Sequence, residues 1–193
     1  MSKCLISMIA VAICVSSLVA GCAHYQLVPG KILPLDTKTE GLAGPFDHIT
    51  VTLVNAQTDD SGYSVKDWRG RNSGYLLNRK LWTEKLVEAL GAELMARHGK
   101  VVDRAPVTLS LKVTEVTYPY PRGGAYKIYF DATAEVTSNS GWKKLYVGKG
   151  DAANPPFTSF GENSNRAANS MITDLVRVIM SDREFTAGLS RKK

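Results

Sequence analysis

Residues 125–137, AYKIYFDATAEVT, place Tyr126, Ile128, Phe130, Ala132, Ala134 and Val136 on one side of an extended chain. Lys127, Asp131, Thr133 and Glu135 fall on the other side. A period of two belongs to a β-strand with one dry face, and a strand this long must be covered by other apolar surface. The same chain supplies the cover. NRKLWTEKLVEALGAELMARHG repeats Leu81, Trp82, Leu86, Val87, Leu90, Leu94 and Met95 at three- and four-residue spacing, which predicts an amphipathic helix. Gly99 is expected to cap it in the left-handed conformation, and Gly91 is acceptable within it where it allows close packing on a sheet. SFGENSNRAANSMITDLVRVIMSD carries Ala168, Met171, Ile172, Leu175, Val178 and Ile179 on one stripe, with Arg166, Asn169, Asp174 and Arg177 off it and a start near Ser159 to Asn163. Burying five large apolar side chains from that stripe contributes roughly 10 kcal/mol before entropy, enough to dock the helix on a sheet.

Three further runs read as strands. DHITVTLVNA sets Ile49, Val51 and Leu53 on one side, VTLSLKV alternates Val107, Leu109, Leu111 and Val113, and WKKLYVGKG gives a shorter strand around Leu145 and Val147. The connections YPYPRGG and SNSG are rich in turn formers, so the last three strands form an antiparallel meander. Residues 57–73, QTDDSGYSVKDWRGRNS, read as a long loop. The order strand-helix-strand-strand-strand-helix predicts an α+β fold: a two-layer sandwich of one mostly antiparallel sheet, about four strands wide, with two amphipathic helices on one face. The first strand can join by a right-handed crossover.

The chain ahead of this domain has a different character. Met1 to Lys3 is a short positive start, Leu5 to Val15 is apolar apart from Ser7, and small residues follow up to Gly21. This is the plan of a secretory signal peptide; an uncleaved signal anchor is the alternative, since Cys4 to Ala20 nearly spans a bilayer. LVAGC, with Val19, Ala20 and Gly21 ahead of Cys22, resembles the bacterial lipobox. The resemblance implies cleavage between Gly21 and Cys22, a diacylglycerol on the Cys22 thiol and an acyl chain on its new amine. Cys4, Cys14 and Cys22 are the only cysteines, so the mature chain has no disulfide and no thiolate zinc site. No cofactor is expected beyond these covalent lipids. Ala23 after the cysteine, not Asp, implies sorting to the outer membrane if the host is Gram-negative, with the body facing the periplasm.

The domain plan is therefore a removed leader at 1–21, a lipidated Gly/Pro-rich tether at 22–45, a single α+β body at 46–186 and a basic tail at 187–193, with fraying from Glu184. As a flexible coil the tether would span about 25 Å. Lipobox, tether and element order resemble small envelope lipoproteins of the YajG type over residues 46–186. They also resemble, more distantly, the lipopolysaccharide-assembly lipoprotein that plugs the outer-membrane translocon. The resemblance implies a non-enzymatic protein that binds another envelope component or assists its assembly.

A formal charge of +6, of which Lys3 in the leader supplies one unit, suits an anionic partner and equally suits plain solubility. Export separates the domain from nucleic acid. The sequence has no nucleophile elbow or phosphate loop, and GWKKLYVGKGD is strand plus turn. His24, His48 and His98 are too scattered for a metal motif. Asp59, Asp60 and Asp67 read as solvated loop carboxylates, with nothing nearby to split their pKa values. Two stretches are candidate contact surfaces: Tyr63, Lys66, Trp68, Arg69 and Arg71 in YSVKDWRGR, and Tyr118, Tyr120 and Arg122 in YPYPRGG. Their aromatic and basic side chains suit a protein partner or, alternatively, lipopolysaccharide or another anionic glycolipid. The competing role for these aromatics is packing over the sheet ends. The partner, the oligomeric state and the order of the strands are not encoded in these patterns.

Overall fold

The computed structural model describes residues 25–30, 32, 35, 46–47, 49–119 and 126–190. Gly21, Cys22, Ala23, Tyr120 and Arg122 lie outside the described residues. The fold is mixed α+β, with a curled, open sheet. Its strands are β1 (Tyr25–Leu27), β2 (Thr50–Asn55), β3 (Gly62–Asp67), β4 (Asn72–Asn78), β5 (Lys100–Val101), β6 (Val107–Tyr118), β7 (Lys127–Ser138) and β8 (Lys143–Ala153). The helices are α1 (Arg79–Ala96), α2 (Phe160–Ser181) and α3 (Arg183–Ser190).

The expected meander is present: β6, β7 and β8 pair antiparallel in sequence order. The rest of the sheet is wider than the expected four strands. Residues 57–73, expected as a loop, contain β3 and the start of β4, an antiparallel pair with an irregularity between Ser64 and Lys66. That break in register interrupts the alternation by which a strand is recognised. β2 and β3 both run parallel to β6 and share one of its edges, β2 pairing Val51–Asn55 with Val107–Leu111 and β3 pairing Lys66–Asp67 with Thr117–Tyr118. Between them β6 has no strand neighbour on that side, and side chains fill the gap. The Val113 N–H donates to Thr83 Oγ1 (3.0 Å), Gln57 Nε2 donates to the Val113 carbonyl (3.0 Å) and Arg79 Nη1 donates to the Thr114 carbonyl (3.2 Å). Gln57 and Thr83 are buried, as polar groups are when the backbone requires them.

Helix α1 starts where Asn78 accepts from the Leu81 N–H and buries Trp82, Leu86, Leu90 and Leu94. That stripe is narrower than the sequence predicts, since Leu81 and Met95 are exposed. The left-handed cap falls on His98 (φ 68°), not on Gly99; a Cβ at Gly99 would lie 3.0 Å from the Leu94 carbonyl oxygen. Gly91 packs as expected, a Cβ there coming within 3.4 Å of Leu53 on β2.

Ser159 caps α2, which packs on β7 and β8 and buries Ala168, Met171, Ile172, Leu175 and Ile179 of the predicted stripe, with Val178 half-buried and Ala167, Val176 and Met180 added to it. The strand expected around Leu145 and Val147 is β8, which runs on to Ala153. Leu145 and Val147 face solvent, while Tyr146, Gly148 and Gly150 face the helix. A Cβ at Gly150 would lie 2.2 Å from the Ala167 carbonyl oxygen and the Met171 nitrogen. The glycines thus let the α2 backbone lie directly on the strand, and a hydropathy pattern weighs side chains that are not there. α3 replaces the expected fraying after Glu184: Asp182 accepts from the Glu184 N–H, and Phe185 and Leu189 are buried. The folded body therefore extends into the stretch expected as a tail.

The segment expected as a tether is built into the fold wherever it is described. β1 pairs parallel with β4, Leu27 is buried and its carbonyl accepts from Trp82 Nε1. The N–H groups of Val28 and Gly30 donate to Asn165 and Asn169 on α2, and that of Leu35 donates to Glu93 on α1. Ile32 and Leu35 pack against the core between the helices.

Candidate functional site

The most distinctive surface is the turn between β3 and β4. Asp67 organises it by accepting from the N–H groups of Arg69 and Arg71 (both 2.8 Å) and from Arg71 Nε and Nη2 (3.1 and 3.0 Å). Gly70, at φ 76°, supplies the left-handed residue that closes the turn. Partial burial works against the Asp67 charge, but these amide and guanidinium hydrogen bonds outweigh it and hold the carboxyl below its ordinary pKa. Asp67 is therefore an ionised structural group, and Trp68 and Arg69 are what the turn presents. The Arg69 guanidinium lies 4.4 Å from the centre of the Trp68 ring, a cation–π pair, and has no acidic partner among the described residues.

Beside the turn an open hollow of about 380 Å³ is lined by Trp68, Arg69, Arg71, Asn72 and Tyr118. The structure thus joins members of the two stretches that sequence reading singled out, because Asp67 pairs with Tyr118 across β3 and β6. Lys66 borders the same turn and donates to Asn72 Oδ1 (2.7 Å). Tyr63 is elsewhere: opposite Leu77, packed on the core, with the Arg79 guanidinium 4.6 Å from its ring. Tyr118 serves two purposes. It borders the hollow, and its ring lies 5.3 Å from Tyr75 and 5.7 Å from Phe130, the packing role that competed with exposure. Tyr25 and Phe160 extend the aromatic cluster. At its centre, burial pushes the Tyr75 phenol far above the ordinary range, although Ser164 hydrogen-bonds to it.

Asp59 and Asp60 do not form an acid–base pair. The Ser61 hydroxyl, the Arg79 guanidinium and the Ser61 amide hold Asp59 at about 2, and Asn78 with Lys80 lowers Asp60 as well. Both are ionised partners of a structural network. Among the described residues no cluster of three His, Cys, Asp or Glu side chains is placed to hold a metal, and no helix is long and apolar enough to cross a membrane.

Phe157 and Tyr126 were missed as surface candidates. Phe157 is fully exposed at φ 68°, and the Pro155-Pro156 pair before it was the available signal. Tyr126, expected on the dry face of β7, precedes the strand and is exposed.

No family model and no curated protein matches the chain. Several solved structures do. One is a DUF330-family protein from Xanthomonas campestris, 14% identical, covering 79% of this chain and 89% of that one at a TM-score of 0.45. Another is a minor lipoprotein from Acinetobacter baumannii, 16% identical, covering 76% and 95% at a TM-score of 0.42. A PelC dodecamer from Paraburkholderia phytofirmans is 15% identical and covers 72% and 92% at a TM-score of 0.32.

Proposed function

We propose that this chain is a non-enzymatic lipoprotein of the cell envelope, of the YajG type, anchored through acyl chains on Cys22, whose body binds another envelope component or assists its assembly. The observation that carries the reading is the sequence LVAGC, ending at the last cysteine of the chain and only three residues ahead of a strand built into the sheet. A cut before Cys22 keeps β1 and its described partners, β4 and Trp82, in one chain. Ala23 after the cysteine supports an anchor in the outer membrane of a Gram-negative host, with the body on the periplasmic side. Globomycin should shift the cellular protein to precursor size, radiolabelled palmitate should enter the wild type and not Cys22→Ala, and density fractionation should find the chain with outer-membrane markers. Unchanged size under globomycin would remove the foundation of the reading.

The hollow beside Trp68 is the surface proposed to make the contact. A second reading, capture of lipopolysaccharide or another anionic glycolipid, is favoured by the Arg69–Trp68 stack, which offers a cation and an apolar ring together. Replacing Trp68, Arg69 and Arg71 together with alanine should then abolish lipopolysaccharide binding; retained binding would exclude this surface.

A further inference from the structure

Strand directions bring to one end of the sheet features that are far apart in the chain. β1 runs parallel to β4, β4 antiparallel to β3, β3 parallel to β6, and β6, β7 and β8 alternate. One end therefore holds the start of β1, the β3–β4 turn, the end of β6, the start of β7 and the end of β8. Tyr25, Trp68, Tyr126 and Phe157 lie at or just beyond these strand ends, 45%, 55%, 63% and 107% exposed, and they are all the exposed aromatic side chains among the described residues. Each apolar ring held in water forgoes the free energy of burial, and aromatic side chains concentrate where an apolar phase meets water. Lys66, Arg69, Arg71 and Lys127 share this end with Asp67, Asp151 and, in the first turn of α2, Glu162, a small excess of positive charge.

The attachment point is at the same end. Cys22 precedes Tyr25 by three residues, which reach at most about 11 Å when fully extended. Acyl chains on Cys22 therefore hold the start of β1, and the aromatic rim around it, close to the bilayer surface.

We propose that this end of the sheet rests on the phosphate-bearing surface of the bilayer that holds the Cys22 acyl chains, with Trp68 and Phe157 seated among the headgroups and Arg69 over lipid phosphate. The proposal rests on the lipoprotein reading and adds an orientation to it. The opposite end, with the start of β8, then points away from the membrane.

The full lipidated chain, in vesicles of phosphatidylethanolamine and phosphatidylglycerol with brominated phosphatidylcholine, provides the test. Trp82 is fully buried and Trp142 lies by the start of β8, so the difference between wild type and Trp68→Phe isolates Trp68. The expected result is quenching of Trp68 by the brominated lipid, loss of its quenching by iodide relative to the unlipidated Cys22→Ala chain, and weakening of both effects in Phe157→Ser. Equal bromine quenching in wild type and Trp68→Phe, or iodide access unchanged by vesicles, would overturn the orientation. So would shielding seen in native membranes but not in pure-lipid vesicles, which would mean that a protein covers this end. A mass spectrum of the N-terminal peptide without acyl chains would instead overturn the lipoprotein reading, and the orientation with it.

Discussion

Gly150 sets the distance between α2 and the sheet. A methyl group there would penetrate the helix backbone, and at Gly148 it would lie 2.5 Å from Leu175 Cγ; neither obstacle is the end of a flexible chain. Gly150→Ala should cost about 2–3 kcal/mol, as overpacking of a filled core does, and Gly148→Ala a comparable amount, read as shifts in urea midpoint. Gly161→Ala is the control: nothing lies within 4 Å of the added methyl, so the helix preference for alanine should leave the midpoint unchanged or slightly raised, by up to about 1 kcal/mol. Asp59 contributes a pH effect of defined sign. Its carboxyl titrates at about 2 in the folded chain against 3.8 ordinarily, so its contribution is complete above the unfolded value and disappears as pH falls through the folded one. Denaturation midpoints measured between pH 5 and pH 2 should decline less steeply in Asp59→Asn than in the wild type.

Among the elements, the branch in the sheet depends on a few polar side chains. β2 and β3 occupy different stretches of one β6 edge, and Thr83 and Gln57 satisfy the Val113 backbone exposed between them. Thr83→Val keeps the shape and removes the acceptor, which should cost about 1–3 kcal/mol, the penalty of an unsatisfied buried donor. It should also raise the hydrogen-exchange rate of the Val113 amide, whereas an effect confined to helix α1 amides would contradict this account. α3 is an element that patterning did not reveal, being short and adjoining a polar end. Truncation after Asp182 exposes the surface beneath Phe185 and Leu189, each worth about 1.5–3 kcal/mol when buried, and should lower the thermal midpoint measurably.

For the whole molecule, the integration of residues 25–30, Ile32 and Leu35 into the body replaces a 25 Å leash with a short one, and a short leash orients what it holds. Inserting about ten Gly/Ser residues between Ala23 and His24 adds roughly 17 Å of reach. The variant should still fractionate with the membrane while iodide access to Trp68 rises; unchanged access would mean that the surface contact does not need the short connection.

Much of this was legible in the sequence where side chains carry the signal. The period-two runs of β2, β6 and β7 and the stripe of α2 are amphipathic, so sequence alone determined the meander, the two long helices and an α+β fold held together without disulfides. LVAGC likewise supplied, from sequence alone, the expectation of lipidation. Other features depend on main-chain geometry or distant contacts. Gly148 and Gly150 face the core without an apolar side chain to announce it, the irregularity in β3 erased its alternation, and β1 is a strand only because the β4 edge is there to receive it. The joining of Trp68 to Tyr118, and the gathering of exposed aromatics beside the attachment point, were decided by strand direction. Strand direction is set by long-range pairing, which no local pattern of residues encodes.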